Sequence, residues 1–395
     1  MSYFLVPQVH FQVHPRNIKL KFDQKLDIHI NKSLANYLKI VKGQINENIL
    51  QWDNIKKFTN PFEYIHTNVP SHKFSVSKLK PLSRSFFKMI EIYNIFRLDG
   101  IFKNRCINSF HLAEGPGGFI EALVYLRKNP LDNMYGMTLI DNNINVPGWK
   151  KSEHFLEKNP NVFLERGADG TGDLYKTENL RYCARNYQNK MDFITGDGGF
   201  DFSVDFDKQE EMAFRLIFSQ IAFAITMQKR GGVFVLKVFD IFLQPTVELI
   251  YLLSCFYEHV YIMKPNTSRY ANSEKYVVCK KFKYEKTDEI TKKFISIFCV
   301  LNKMDLRTYK IKALINIPIQ YYYICQLEEM NAVLGQQQIE NILMTIKMIE
   351  DSTWGKEHIH QIKNQNIKRC VQWCLKHTIP YNKNIQPTNM FLGDN

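Results

Sequence analysis

Four stretches of the sequence carry residue types that could do chemistry. The first is His111-Leu112-Ala113-Glu114-Gly115-Pro116-Gly117-Gly118-Phe119. Its glycines remove Cβ atoms that would hold a nucleotide-like ligand off the backbone, and a helix opening at Phe119 would offer free N–H groups. The spacing is not the dinucleotide G-x-G-x-x-G, and Glu114 would repel a pyrophosphate while attracting positive groups. An amino acid joined through a sulfonium to adenosine therefore suits this turn better; an ordinary tight turn is the alternative. The second group is Asp141, Asp197 and Lys237, each closing a predicted strand. In open α/β sheets ligands bind outside the carboxyl ends of the strands, so these side chains should converge on one crevice with the glycine turn. For Lys237 the competing reading is a lysine held in a structural ion pair. The third stretch is Pro81-Leu82-Ser83-Arg84-Ser85-Phe86-Phe87-Lys88-Met89-Ile90-Glu91, a basic amphipathic helix start. The fourth, Lys264 to Val278, is a donor-rich loop that reaches Glu274 just before an apolar run. Alone, Lys88 reads as a solvated helix charge and that loop as a solvated hairpin.

These residues need elements to position them. From Ser83 to Phe282 short apolar runs alternate with amphipathic stretches, the pattern of βαβ units around a mainly parallel sheet. Strands are predicted over 107–113, 134–140, 191–195 and 233–238, with a hairpin made of 260–263 and 275–280. Helices are predicted over 119–126, 206–229 and 246–257, the second stopped by Gly231-Gly232. Residues 1–75 form an N-terminal flank of unknown role and 76–283 a catalytic core. Residues 284–395 form a mainly helical C-terminal region packed on that core.

The composition limits the partners. Of 395 residues 45% are hydrophobic, enough for a large core, and Lys plus Arg exceed Asp plus Glu by 52 to 39, a formal charge of +13. A polyanionic partner fits that balance. No apolar stretch is long enough to span a bilayer, and the start lacks the character of a secretory signal. No membrane association is expected, and an intracellular place, cytoplasm or nucleus, is. Eight scattered cysteines show no zinc-site spacing, so no metal is expected.

Taken together the stretches resemble the FtsJ-like ribose 2′-O-methyltransferases, and within them the messenger-RNA cap enzymes. The matching pieces are Ser83 to Lys88, Glu114 to Phe119, Gly136 to Leu139, Asp169 to Asp173, Asp197 to Phe200, Lys237 to Asp240 and Thr267 to Glu274. They occur in the family's order over about residues 80–282. The resemblance implies an α/β, Rossmann-like fold: a mostly parallel seven-stranded sheet flanked by helices, with a final antiparallel strand. It implies S-adenosylmethionine as methyl donor, held by Glu114, Gly115, Pro116, Gly117, Gly118, Phe119, Asp141, Asp173 and Asp197. Cap enzymes often lack an acid where Asp141 stands. The family's Lys-Asp-Lys-Glu tetrad falls on Lys88, Asp197, Lys237 and Glu274, with Lys237 expected to take the proton of a ribose hydroxyl. RNA, 5′-capped mRNA in the cap reading, would be the partner, alongside transcription or capping machinery. Arg84, Lys150, Lys151 and Arg269 are expected to hold its phosphates. Rival readings are a methyltransferase of ribosomal or transfer RNA, a small-molecule methyltransferase, and a non-catalytic RNA-binding subunit of the same fold.

Overall fold

The computed structural model describes residues 3–141, 146–199, 208–351 and 356–383. The first flank supplies β1 (Tyr3–Val6), β2 (Ile18–Asp23), α1 (Lys32–Glu47) and α2 (Ile49–Thr59). The core follows as α3 (Ser85–Ile95), α4 (Leu98–Phe102), β3 (Asn108–Leu112), α5 (Gly118–Arg127), β4 (Asn133–Met137), α6 (Glu153–Lys158), β5 (Val162–Glu165) and α7 (Thr177–Tyr187). It continues through β6 (Met191–Gly196), α8 (Gln209–Met227), β7 (Gln228–Val238), α9 (Gln244–Phe256), β8 (Tyr257–Met263) and β9 (Lys275–Phe282). The chain then forms α10 (Asp288–Leu301), β10 (Lys310–Ile315), α11 (Tyr321–Glu350) and α12 (Lys356–Lys376).

One sheet dominates, in the order β1-β8-β9-β7-β6-β3-β4-β5. The five strands from β7 to β5 are mutually parallel, and β9 runs antiparallel between β7 and β8. This is the Rossmann-like methyltransferase fold, with the expected antiparallel last strand. The expected count of seven is exceeded by β1, which pairs antiparallel with β8. Tyr3 packs there on Phe96 and Tyr261, with ring centroids 5.3 and 5.6 Å away, so the flank covers an edge that would otherwise present unpaired backbone. The two flanks also meet each other, β2 pairing with β10 and α1 and α2 packing on α11.

Alternation along the buried strands decides which side chains reach the site. On β7, Phe234 and Leu236 face the cluster that includes Phe218 of α8 and Leu249 of α9, whereas Val233 and Val235 face the cluster of Phe87 on α3 and Phe119 on α5. Both faces are covered, which is why the strand reads as a continuous apolar run. Lys237, two residues past Val235, continues the row that faces α3. The chain lays β4 and β5 outward on one side of β3 and then crosses back to lay β6 on the other, so a crevice opens where β3 and β6 end side by side.

Some boundaries differ from the sequence reading. The strand expected over 134–140 ends at Met137, because Thr138 to Ile140 leave the sheet and Ile140 N–H bonds Thr171 O at 2.8 Å. The helix expected over 206–229 spans Gln209–Met227; Phe200, Phe206 and Asp207 lie outside the described residues. No helix among the described residues is long and apolar enough to cross a membrane.

His111, fully buried on β3, bonds Thr195 Oγ1 at 2.8 Å and Ser109 Oγ at 3.0 Å. Burial lowers its pKa to about 3. A folded-state pKa below the unfolded one stabilises the protein above the unfolded value, near 6.5, and that contribution is lost as pH falls toward the folded one. Wild type should therefore lose stability relative to His111→Gln as pH drops from 7 to 4, measured by denaturant unfolding. A pH-independent difference would contradict the assignment.

Candidate active site

The crevice between β3 and β6 contains a cavity of about 570 Å³. The turn after β3 lines it through Ala113, Glu114, Gly115 and Pro116, the loop after β4 through Thr138 and Leu139, and the loop after β5 through Gly172, Asp173, Leu174 and Tyr175. Asp197 and Gly199 after β6, Lys237 on β7, and Ser83, Arg84, Ser85 and Lys88 at the start of α3 add to the wall, as do Val146, Pro147 and Leu216. The glycine turn, both acid-bearing loops and three of the four tetrad residues thus share one space. Glu274 lies just behind it, on Lys88.

The tetrad forms two ion pairs. Lys88 Nζ is 2.6 Å from Glu274 Oε1 and 2.9 Å from Oε2. Lys237 Nζ donates to the Asp197 carbonyl at 2.7 Å and lies 3.3 Å from its Oδ1. Tyr276 joins the pairs: its hydroxyl donates to Asp197 Oδ1 at 2.8 Å while its ring lies 5.9 Å from Lys88 Nζ. Tyr276 stands opposite Lys237 in the β7–β9 register, two residues past Glu274 on the same face. The sequence reading missed it, although period-two spacing from Glu274 was the signal that could have found it.

Burial drives the electrostatics. It pushes the Lys88 ammonium pKa down, against the charges of Glu274 and Asp197. For Glu274 burial works toward a higher pKa, but the charges of Lys88 and Lys237 outweigh it and hold the carboxyl well below the usual range. Charges this enclosed persist because each has its counter-ion.

The donor side of the cavity is also polar. Glu114 is buried; its Oε1 accepts the Phe119 N–H at 2.5 Å and its Oε2 has no protein partner. Burial and the neighbouring Asp197 charge raise its pKa well above the ordinary carboxylate value. A cationic amino group entering the cavity would satisfy that oxygen and restore the carboxylate. Asp173 Oδ1 accepts the Tyr175 N–H at 2.8 Å, fixing the loop after β5 at the other end. Gly118 lets α3 dock, since a Cβ there would lie 2.2 Å from both Ser83 Oγ and Ser85 Oγ. Gly172 has φ +64° and a Cβ on it would lie 2.1 Å from Thr138 O. Phe119 is buried beneath the turn, its ring 5.9 Å from that of Tyr276.

Other expected residues fall elsewhere. Asp141 is exposed and is not among the residues lining the cavity, because the chain has already turned out of the sheet at Thr138. Arg269 is committed to an acid: its Nε and Nη2 hold Glu63 at 3.0 and 2.6 Å in a bidentate pair. Arg84 lines the cavity but its Nη2 donates to Thr267 O at 3.2 Å. Lys150 and Lys151 are exposed.

A mostly parallel sheet with this crevice, glycine turn and acidic loops is the arrangement of an α/β protein that takes a nucleotide-like ligand at the carboxyl ends of its strands. Residues 81–282, half of the chain, match the model of the FtsJ-like methyltransferases, and the protein belongs to that family. The family's methyl donor is S-adenosylmethionine, which the cavity's size and the unpaired Glu114 oxygen fit. Cap-specific mRNA (nucleoside-2′-O-)-methyltransferase 2 of Danio rerio is 33% identical over 270 residues, which is 63% of this chain and 34% of that protein. Cap-specific mRNA (nucleoside-2′-O-)-methyltransferase 1 of Mus musculus is 36% identical over 203 residues, 49% of this chain and 23% of that protein. The corresponding enzyme 1 of Xenopus laevis is 30% identical over 292 residues, 70% and 33%. The chain thus spans about a third or less of the length of these relatives.

Gly172→Ala should cost roughly 1–3 kcal/mol, because both its backbone conformation and its contact with Thr138 exclude a side chain. Denaturant unfolding checks this, and wild-type stability would show that the two loops do not meet as described.

Proposed function

We propose that the protein transfers a methyl group from S-adenosylmethionine to a ribose 2′-hydroxyl of RNA, on the first transcribed nucleotide of capped mRNA. The observation that carries this reading is the pairing of Lys88 with Glu274 and Lys237 with Asp197 at the wall of the cavity that fits the donor. Supporting the cap assignment are the relatives named above, each described as cap-specific, and the net charge of +13, which suits a polyanion.

Glu114, Gly115, Pro116, Asp173 and Asp197, which line the cavity, would hold the donor, with Gly117, Gly118 and Phe119 shaping the turn behind them. Bound there, it supplies an electrophilic methyl on a sulfonium. A ribose hydroxyl is a weak nucleophile at neutral pH, so the chain's own part is to align it and remove its proton. Lys237 is fixed through the Asp197 carbonyl and carboxylate, which leaves its nitrogen at the cavity wall. To act as the base Lys237 first releases an ammonium proton to solvent, and its nitrogen then takes the hydroxyl proton as the ribose oxygen gains the methyl group. Lys88, held by Glu274, donates to the ribose oxygen and fixes its direction. Alignment of this kind accounts for much of the rate and the proton transfer for a further ~10²- to 10⁴-fold. The exposed Lys150 and Lys151 would meet phosphates along the RNA, and Arg84 one at the mouth.

The test is transfer of radiolabelled methyl to short RNAs ending in a 7-methylguanosine cap, an unmethylated cap or a 5′-triphosphate. Transfer to the methylated-cap RNA is expected. Lys237→Ala should reduce it ~10²- to 10⁴-fold while donor affinity stays within about twofold. Lys237→Arg should not restore it, because a guanidinium does not give up its proton. Transfer without regard to the cap would move the protein to the ribosomal or transfer RNA class. Donor binding with no transfer to any RNA would favour the non-catalytic subunit.

A further inference from the structure

The tetrad acid Glu274 stands at the end of a loop, Lys264 to Glu274, that has no regular secondary structure between β8 and β9. A loop does not by itself hold a carboxylate against one lysine. Inside the family-matched region, Glu91, one helical turn past Lys88 on α3, accepts the Asn266 N–H at 2.9 Å, the Thr267 N–H at 3.2 Å and the Thr267 hydroxyl at 3.0 Å. Lys264 donates to the Glu274 carbonyl at 3.0 Å. These contacts fix the two ends of the loop.

The middle is held from outside that region. Glu63, in the N-terminal flank and 2% exposed, takes the Arg269 guanidinium in the bidentate pair described above. Asn60 Oδ1, three residues earlier, accepts the Tyr270 N–H at 3.0 Å. From the other flank Gln338 of α11 donates to the Ala271 carbonyl at 2.9 Å. The two flanks are tied together directly beneath: Asn341 of α11 donates to the Thr59 carbonyl at 2.8 Å, and Thr59 Oγ1 lies 2.7 Å from Thr345 Oγ1. Three consecutive loop residues, 269 to 271, are therefore gripped by two segments that lie far apart in sequence and meet at this point.

We infer that Glu63, Asn60 and Gln338 are positioning residues for Glu274, and that the flanks form a clamp which sets the Lys88–Glu274 pair. This rests on the functional reading above for its catalytic consequence but not for its structural one. Arg269, expected to bind RNA phosphate, serves the clamp instead. A bidentate guanidinium–carboxylate pair fixes direction as well as distance, which suits a part that must orient a loop.

The experiment compares wild type, Glu63→Gln and Gln338→Ala in the full chain, with Gln338→Ala chosen because it leaves no charge unpaired if Glu63→Gln fails to fold. Hydrogen exchange of the peptides covering 264–274 is read beside those covering α5 and β7, together with kcat, KM for capped RNA and donor affinity. Faster exchange confined to 264–274 is expected. A fall in kcat of about tenfold or more should accompany it, with KM and donor affinity within about twofold, since a misplacement of about 1 Å can cost ~10²-fold. Wild-type loop exchange and kcat in the folded variants would overturn the clamp, as would exchange raised equally throughout the core. If wild type itself transfers no methyl to RNA, the functional reading fails and the exchange comparison alone decides the clamp.

Discussion

Four charged side chains gathered where the central strands end, Lys88 and Glu274 buried and Asp197 and Lys237 half-buried, constrain everything around them. Lys88, Lys237, Asp197 and Glu274 are tolerable in so enclosed a place only as two close ion pairs, and any arrangement that separated one pair would leave a desolvated charge. The pairing explains the low Glu274 pKa, and the Tyr276 hydroxyl adds a second partner to Oδ1 of Asp197, the oxygen that faces Lys237. It also explains why an irregular loop is so heavily bonded: its last residue has to meet Lys88 within hydrogen-bonding distance.

Strand alternation brings the two pairs together. Lys237 follows Val233 and Val235 on one face of β7, and β9 places Tyr276 beside it with Glu274 one step further out on the same side. A slip of one residue in the β7–β9 register would turn Tyr276 to the opposite face and break the link between the pairs. The same face of the sheet receives α3, which carries Lys88 and, one turn on, the Glu91 that anchors the loop. The geometry of the two ion pairs and the packing of the core are here one arrangement.

How much of this the sequence disclosed depended on distance along the chain. Asp197 and Lys237 were legible as polar residues closing apolar strands, and the glycine turn was legible because a strand, a turn and a helix are contiguous. Lys88 and Glu274 were legible only through the family resemblance, since each alone looks like a solvated charge. The Glu63–Arg269 pair spans 206 positions and leaves no local trace. Arg269 was consequently expected at phosphate, where a basic residue in a polar loop would ordinarily go. Strands β1 and β10 escaped notice because short edge strands carry little pattern of their own and gain their stability from their partners. Asp141 was placed at a strand end that the chain in fact leaves earlier, at Met137.

The central claim is that the paired lysines act on a ribose 2′-oxygen. It is tested most directly with two capped RNAs identical except that one carries hydrogen in place of the 2′-hydroxyl on the first transcribed nucleotide. Methyl incorporation by the wild-type protein is followed by nuclease digestion and mass spectrometry. The account predicts a 2′-O-methylated first nucleotide from the hydroxyl-bearing RNA and no incorporation at that nucleotide in its deoxy counterpart. Equal incorporation into both RNAs would place the methyl on a different atom and contradict it.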